Sequence, residues 1–447
     1  MRSSQRQASG TGRVGRFNLS LGLAIALVTG SAASAAVVRA NLVTQEGDSS
    51  LLGAEGLSVA NLSYPVVTGL GALGFAGTLD LGGGAIDGFV WFDGEIVWRN
   101  SEWGPDLIGS LTGGFSDAGG WLMRTAASGV PQLWTHNGQL LSQGGWVGWG
   151  KETLTVLQIG ARAVSNTGVP YWRAQLADSE QHSYWLVMKS PTATGGDVLF
   201  EVAPNARFAG YSMVGNQGVA DFQVSADERS KIYSVTLSVD GAAKSAIVVN
   251  GVMIALQDGS TGSLPAELWY GTLGLDVATN GPGAAAFKAK TTAAGNPWVV
   301  AHSGAGSRPA RVVLREGDCV GTEGAETPCL TLDPDTEPRT VSLSEAGELV
   351  HLWVESFGQG ADEYLFHSCA PAKARAATLL LSRSDAVDLD GDGLGDAAVD
   401  RVGLPGEQQV AFGDGKLYVG AELDYGATTV EALLELELPP CTLSVRE

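Results

Sequence analysis

The sequence predicts an all-β fold: a single seven-bladed β-propeller closed by N- and C-terminal strands. Three observations predict it. A glycine turn recurs every 48 to 68 residues, helical periodicity is almost lacking, and two incomplete units sit at opposite ends of the chain.

The recurring turn reads TGLGALGF at Gly71, SDAGGWLM at Gly119 and SNTGVPYW at Gly168, then GNQGVADF at Gly218. Further copies are NGPGAAAF at Gly283, SEAGELVH at Gly347 and a weaker FGDGKLYV at Gly415. A glycine there supplies the positive φ of a tight turn. The apolar and aromatic residues that follow form a short strand. A period of this length suits about four strands per unit.

A second half-motif, an apolar strand ending in a polar turn, appears as VLREGD ending at Asp318 and ALQDGS around Gly259. LLSQGG near Gly144 is a looser copy, and VTQEGD runs from Val43 to Asp48. VTQEGD has no first half of its own, while only 32 residues follow Gly415. A ring needs that division, and an open solenoid gains nothing from it. Closure also removes exposed sheet edges. A β-sandwich pair or a right-handed β-helix is the alternative architecture.

Between the motifs, Phe89–Phe92, Gln132–Thr135, Ser183–Met188, Ile232–Val239 and Trp298–His302 read as strands. Thr428–Leu438 is a weak helix candidate whose alternating Leu-Glu pattern reads equally as a final strand.

Residues 1–35 form the expected signal peptide: four arginines, an apolar run from Leu21 to Val28, then Ala33-Ser34-Ala35. Residues 36–447 form the repeat domain. The apolar run is too short for a membrane span, and no later run reaches spanning length. The chain has 27 basic and 48 acidic residues; four of the arginines fall in the signal segment, which leaves a net charge of −25. That excess argues against nucleic acid, whose phosphates need a basic footprint, and suits a soluble exported surface. The expected location is the periplasm or the cell exterior.

All four cysteines, Cys319, Cys329, Cys369 and Cys441, lie in the last third. Export permits disulfides, and four cysteines allow three pairings. Pairing Cys319 with Cys329 closes a local loop and leaves Cys369–Cys441 to tie back the C-terminus. No C-x-x-C spacing points to zinc.

The repeat resembles bacterial exported tandem-repeat proteins with an NxxGxxAF motif, most clearly in NGPGAAAF and GNQGVADF. That resemblance covers nearly the whole mature chain. It implies export and repetition and no particular activity; CTLSVRE at the C-terminus carries no sorting anchor.

The sharpest local signal is DLDGDGLGD, from Asp388 to Asp396. Alternating Asp388, Asp390 and Asp392, with Gly393 at the bend and Asp396 beyond, offer carboxylates to Ca²⁺, and Leu394 offers its carbonyl. An EF-hand would need an acid where Val399 stands. The loop resembles the calcium hairpin of FG-GAP-type propeller repeats, which implies a stabilising Ca²⁺.

Nine of the twelve tryptophans lie between Trp91 and Trp185. Trp91, Trp134 and Trp185 fit inter-blade packing. Trp103, Trp146 and Trp149 sit in glycine-rich turns and are candidate ligand-binding residues.

His136, His182, His302, His351 and His367 show no metal-ligand spacing. No G-x-S-x-G elbow occurs, and Ser116-Asp117 belongs to the repeat turn. Gly69 to Gly74 matches G-x-G-x-x-G without the helix a dinucleotide site needs. The expected function is therefore an exported, calcium-stabilised binding or adhesion module for an extracellular or periplasmic ligand, a glycan or a protein. A polysaccharide hydrolase or lyase on the same scaffold is the alternative, resting on fold analogy.

Overall fold

A computed structural model describes residues 37–441, apart from 50–56, 104–106, 150–151, 203–206, 209, 215–217, 264–265, 275, 307, 322–328, 356–360, 405–409 and 414. The expected signal peptide lies outside the described residues.

Strand alternation organises the packing. Successive side chains of a strand point to opposite faces, and here each face meets a different neighbouring sheet. In Leu73–Asp80, Phe75 and Leu79 enter one core while Ala76 enters another. In Ile86–Phe92, Phe89 and Trp91 join the first of these cores and Val90 the second. Seven such cores lie between successive sheets, and the last joins the closing sheet back to the first. The β-propeller expectation is met, and the sandwich and helix alternatives fall.

Six sheets, each from one continuous stretch of chain, repeat one local device at the turn after their innermost strand. The amide of residue four in the turn donates to the carbonyl of residue one, at 2.8–3.0 Å, in Thr68–Gly71, Ser116–Gly119, Ser165–Gly168, Ser225–Glu228, Asn280–Gly283 and Ser344–Gly347. The first residue's side-chain oxygen then accepts a backbone N–H at 2.9–3.1 Å, from Ala72, Gly120, Val169, Ser230, Ala284 and Glu348 in turn. A short hydroxyl or amide side chain is therefore required at the start, because only it reaches back to its own turn.

The blade count is corrected from seven to six. Six sheets are blades of this kind, a seven-stranded sheet composed from both chain ends closes the ring, and Cys319–Val320 with Leu330–Thr331 forms a separate two-stranded sheet. Its strands Lys416–Asp424 and Thr429–Glu437 come from the C-terminal part, and Asn41–Gln45 from the N-terminal part pairs with Thr429–Glu437. The division expected for VTQEGD is thus observed as strand pairing. Val37–Arg39 adds a parallel strand on Ala386–Asp388. Gly415 is no seventh copy: it lies beyond Val410–Phe412, where the Gly413 amide donates to the Lys416 carbonyl at 2.8 Å. Thr429–Glu437 is a strand, which settles the helix candidate.

The second half-motif forms a clasp between neighbouring sheets. Gly47 N–H donates to the Val59 carbonyl (2.7 Å), and Val59 N–H returns a bond to Asp48 (3.0 Å). The same two-bond exchange links Gly144 and Gly145 with Val156, Asp258 and Gly259 with Trp269, and Gly317 and Asp318 with Leu332. Ser384 and Asp385 with Val399 complete the set. Seating on Val59 gives the N-terminal strand the same attachment as strands inside the chain.

Gly218 differs from the glycine first assigned to it. It has no positive φ, and the turn position in that blade is held by Glu228 at φ 62°. Gly218 instead makes a close approach: a Cβ there would fall 2.1 Å from the Trp185 ring. Gly218→Ala therefore displaces Trp185 from the core between the third and fourth blades. The expected cost is about 1–3 kcal/mol, read by chemical denaturation, with Gly210→Ala, where a Cβ meets nothing within 4 Å, as the strained-turn comparison.

Candidate functional site

The innermost strands and first turns converge on a cavity of about 720 Å³. All six blades and the closing sheet contribute to its wall, through segments such as Pro65–Gly71, Thr340–Ala346 and Val410–Gly413. Apolar and small residues make most of that wall. Its charged side chains are Glu228, Asp276, Glu345 and Glu348, with no basic residue among the described lining residues. Leu70, at the tip of the first turn, is 86% exposed.

The carboxylates are tied into the scaffold. Glu345 accepts N–H bonds from Ala226 (2.7 Å) and Gly281 (2.6 Å), so one side chain of the sixth blade spans the turns of the fourth and fifth. Glu228 accepts from the Asn166 amide (2.7 Å), the Tyr171 hydroxyl (2.6 Å) and Lys189 (2.5 Å), all in the third blade. Asp117 of the second turn accepts from Leu70 N–H of the first (3.2 Å), and Asp276 accepts from Val341 N–H (2.7 Å). Burial works to raise the Glu228 carboxyl, but the bonds from Lys189, Tyr171 and Asn166 outweigh it and hold it below the usual range. Burial and Glu228 together push the Tyr171 phenol well up. A carboxylate held ionised by three donors is poorly suited to donate a proton as a general acid. The mouth is organised to present fixed negative charge beside apolar surface.

Sequence reading placed Ser116-Asp117 in the turn, which holds, but missed Glu228 and Glu345 as cross-turn ties. A signal existed: the residue after the leading serine is Asp117, Asn166 or Glu345 in three copies.

The acidic loop lies elsewhere, in the closing sheet, and none of its residues lines the cavity. Asp388, Asp390 and Asp392 each bring a carboxylate oxygen within 4.8 Å of the other two. Gly391 and Gly393, at φ 81° and 86°, make the bends that only a residue without Cβ takes easily. Backbone amides pre-arrange the acids: Gly391 and Gly393 donate to Asp388 (2.7 and 3.0 Å), Asp392 to Asp390 (3.0 Å), and Leu394 to Asp392 (2.7 Å). Asp396 is not in the close set; its carboxylate accepts from Leu389 N–H at 2.7 Å across the loop. Arg39 of the N-terminal strand pairs in register with Asp388 and lies against Gly391. Val399, which stands where an EF-hand carries its last acid, is buried in the strand beyond.

Of the candidate tryptophans, Trp146 is not among the residues that line the cavity. Trp146 is 67% exposed on the edge strand Trp146–Trp149. Trp103 ends the short helix Asn100–Trp103 and Trp149 ends its strand; the side chains of both lie outside the described part. Trp91, Trp134 and Trp185 pack between blades, as expected. Two disulfides, Cys319–Cys329 and Cys369–Cys441, match one of the three pairings. No helix among the described residues is long and apolar enough to cross a membrane.

No protein-family model matches the sequence, and no curated protein matches it. Among solved structures, the β-propeller domain of the Trilobed protease from Pyrococcus furiosus is 10% identical with a TM-score of 0.40, over 86% of this chain and 99% of that one. Prolyl oligopeptidase B from Galerina marginata is 10% identical with a TM-score of 0.42, over 86% of this chain and 52% of its own. A prolyl endopeptidase is 11% identical at 0.40, over 89% of this chain and 47% of its own. The chain spans about half of these two peptidases. At such scores the similarities carry no functional argument, and the fold rests on the sheet topology.

No histidine is among the described residues that line the cavity, although His367 lies 3.5 Å from the lining residue Glu348. His351 is fully buried, and its Nδ1 accepts from the Trp353 indole at 3.0 Å. Burial, reinforced by His367, lowers its pKa to about 3. A depressed histidine stays neutral in the fold but takes a proton in the unfolded chain, so its stability contribution is complete above pH 6.5 and is lost as pH falls toward 3. Unfolding free energy should drop by about 3 kcal/mol between pH 7 and 4 from this group. His351→Gln, compared with the parent by urea denaturation across that range, should show a correspondingly flatter slope.

Proposed function

We propose that this chain is an exported, calcium-stabilised binding module whose ligand seat is the cavity at the convergence of the blade turns. The observation that carries the reading is the state of the cavity carboxylates: Glu228, Glu345 and Asp276 are occupied by backbone and side-chain donors from neighbouring blades. That arrangement fixes shape and charge, which binding requires, and leaves only Glu348, beside His367, for the acid–base work that the polysaccharide hydrolase or lyase reading needs. Fixed negative charge beside Leu70 and Phe412 favours a neutral or cationic ligand, such as an uncharged glycan or a basic peptide, over an anionic one.

In this reading Ca²⁺ is held by Asp388, Asp390, Asp392 and the Leu394 carbonyl, with Asp396 bracing the loop. Three carboxylates and a carbonyl make a hard, all-oxygen donor set. Bound there, Ca²⁺ neutralises the acids beside the strand pairing that seats Val37–Arg39 and so supports ring closure.

Two experiments test the two halves. Excess calcium should raise the thermal midpoint of the mature protein relative to chelator, and Asp390→Ala with Asp392→Ala should abolish the rise. A calcium-independent midpoint contradicts the metal assignment. A panel of neutral polysaccharides and lysine-rich peptides should yield binding without release of reducing ends or cleaved peptide. Turnover of any member would place catalysis in the cavity instead.

A further inference from the structure

We infer that the clasp tying the C-terminus to the sixth blade has a second chemical form, in which Cys369, Cys441 and His367, with Glu348, hold a divalent zinc-class cation after the disulfide is reduced. The site is separate from the calcium loop; Glu348 also lines the cavity, but the inference does not require the ligand-binding reading.

Its parts come from three places. His367 sits on the strand Glu363–Ser368, Cys369 follows that strand directly, and Cys441 returns from the C-terminal segment. One ligand atom from each lies within 4.8 Å of the other two. Glu348, the residue directly after the sixth blade's first turn, brings Oε1 to 3.5 Å from His367 Nε2 and 3.1 Å from Cys441 Sγ. Its other oxygen, Oε2, accepts the Ser344 hydroxyl at 3.2 Å and so stays with the turn.

Two features are poorly matched to the disulfide form. His367 is 2% exposed, and its Nε2 makes no well-formed hydrogen bond, the Glu348 carboxylate lying 3.5 Å away. The carboxylate faces a sulfur that, in a disulfide, carries no hydrogen to share, so two electron-rich atoms meet at 3.1 Å. A cation among these atoms satisfies all of them at once. Two thiolates, one imidazole and one carboxylate are the donor types zinc takes in four-coordinate sites. Cys369 is exposed and Cys441 partly so, which gives a reductant access.

The exchange balances. A dithiol reductant gives two electrons and two protons to the Cys369–Cys441 bond, becoming a cyclic disulfide and leaving two thiols. Binding of Zn²⁺ then releases the two thiol protons as Zn–S bonds form. A disulfide oxidant takes the two electrons back, is itself reduced to thiols, re-forms the Cys369–Cys441 bond and expels Zn²⁺. The C-terminus is thereby clasped in either redox state.

Cobalt(II) reports the site directly, through thiolate charge-transfer absorption and intense visible bands in a tetrahedral field. The measurement uses the full chain carrying Cys319→Ser and Cys329→Ser, so that only the clasp thiols remain, before and after treatment with a dithiol. The expected result is one cobalt per reduced chain, none in the oxidised chain, and displacement by zinc. Affinity should fall at least about tenfold in His367→Ala and vanish in Cys441→Ser. Glu348→Gln, which keeps the side-chain size, carries the same expectation of weakening if His367→Ala folds poorly. No charge-transfer band in the reduced chain overturns the inference, and so does equal affinity in the parent, His367→Ala and Glu348→Gln.

Discussion

The structure depends on one pairing, between Asn41–Gln45 at the front of the chain and Thr429–Glu437 near its end. Each blade buries both of its faces, so each needs two neighbours. A row of blades would leave two large apolar faces and two strand edges in water. The antiparallel pairing of Leu42 with Leu434 lets the closing sheet cover both ends of the row. Leu433 and Tyr418 then enter the core with Phe75 and Trp91, while Leu434 and Leu436 enter the core shared with the sixth blade. Fully burying a leucine is worth roughly 1.5–3 kcal/mol, and a single closure event collects many such residues together. The parallel strand Val37–Arg39 and the Val59 clasp fix the register of this junction from both sides.

Closure also explains the cavity. With the ring complete, six first turns point into one space, each held rigid by its own serine, threonine or asparagine. Rigid turns crowded together bring backbone amides of one blade close to the side chains of the next. Carboxylates on those turns satisfy the amides, and the mouth gains its negative charge as a consequence of its packing. The same ties that stiffen the opening hold Glu228, Glu345 and Asp276 to the turns of neighbouring blades.

Much of this was legible in the sequence because it is local. The turn device requires a short polar residue and a positive φ within five positions, so five of its six copies announced themselves through Gly71, Gly119, Gly168, Gly283 and Gly347. The fourth did not, because Glu228 takes the left-handed conformation itself, and the nearby Gly218 imitates the motif while serving a contact with Trp185. Gly415 misled the count in the same way: it belongs to a hairpin of the closing sheet, in which the Gly413 amide donates to the Lys416 carbonyl. VTQEGD was readable as a detached half-unit since its clasp uses residues adjacent in the chain. The reach of Glu345 across two blades, and the meeting of His367 with Cys441, join residues 64 to 119 positions apart and leave no periodic trace. The acidic loop was recognisable because its alternation is itself the geometry.

The central claim is that the N-terminal strand completes the closing sheet. Its most direct test is the chain beginning at residue 49, unfolded with and without a synthetic peptide of residues 36–48 added in trans. The account predicts a lower and broadened thermal transition in the truncated chain, and recovery of the parent transition in proportion to peptide occupancy. A truncated chain that melts like the parent, unaffected by the peptide, would contradict it.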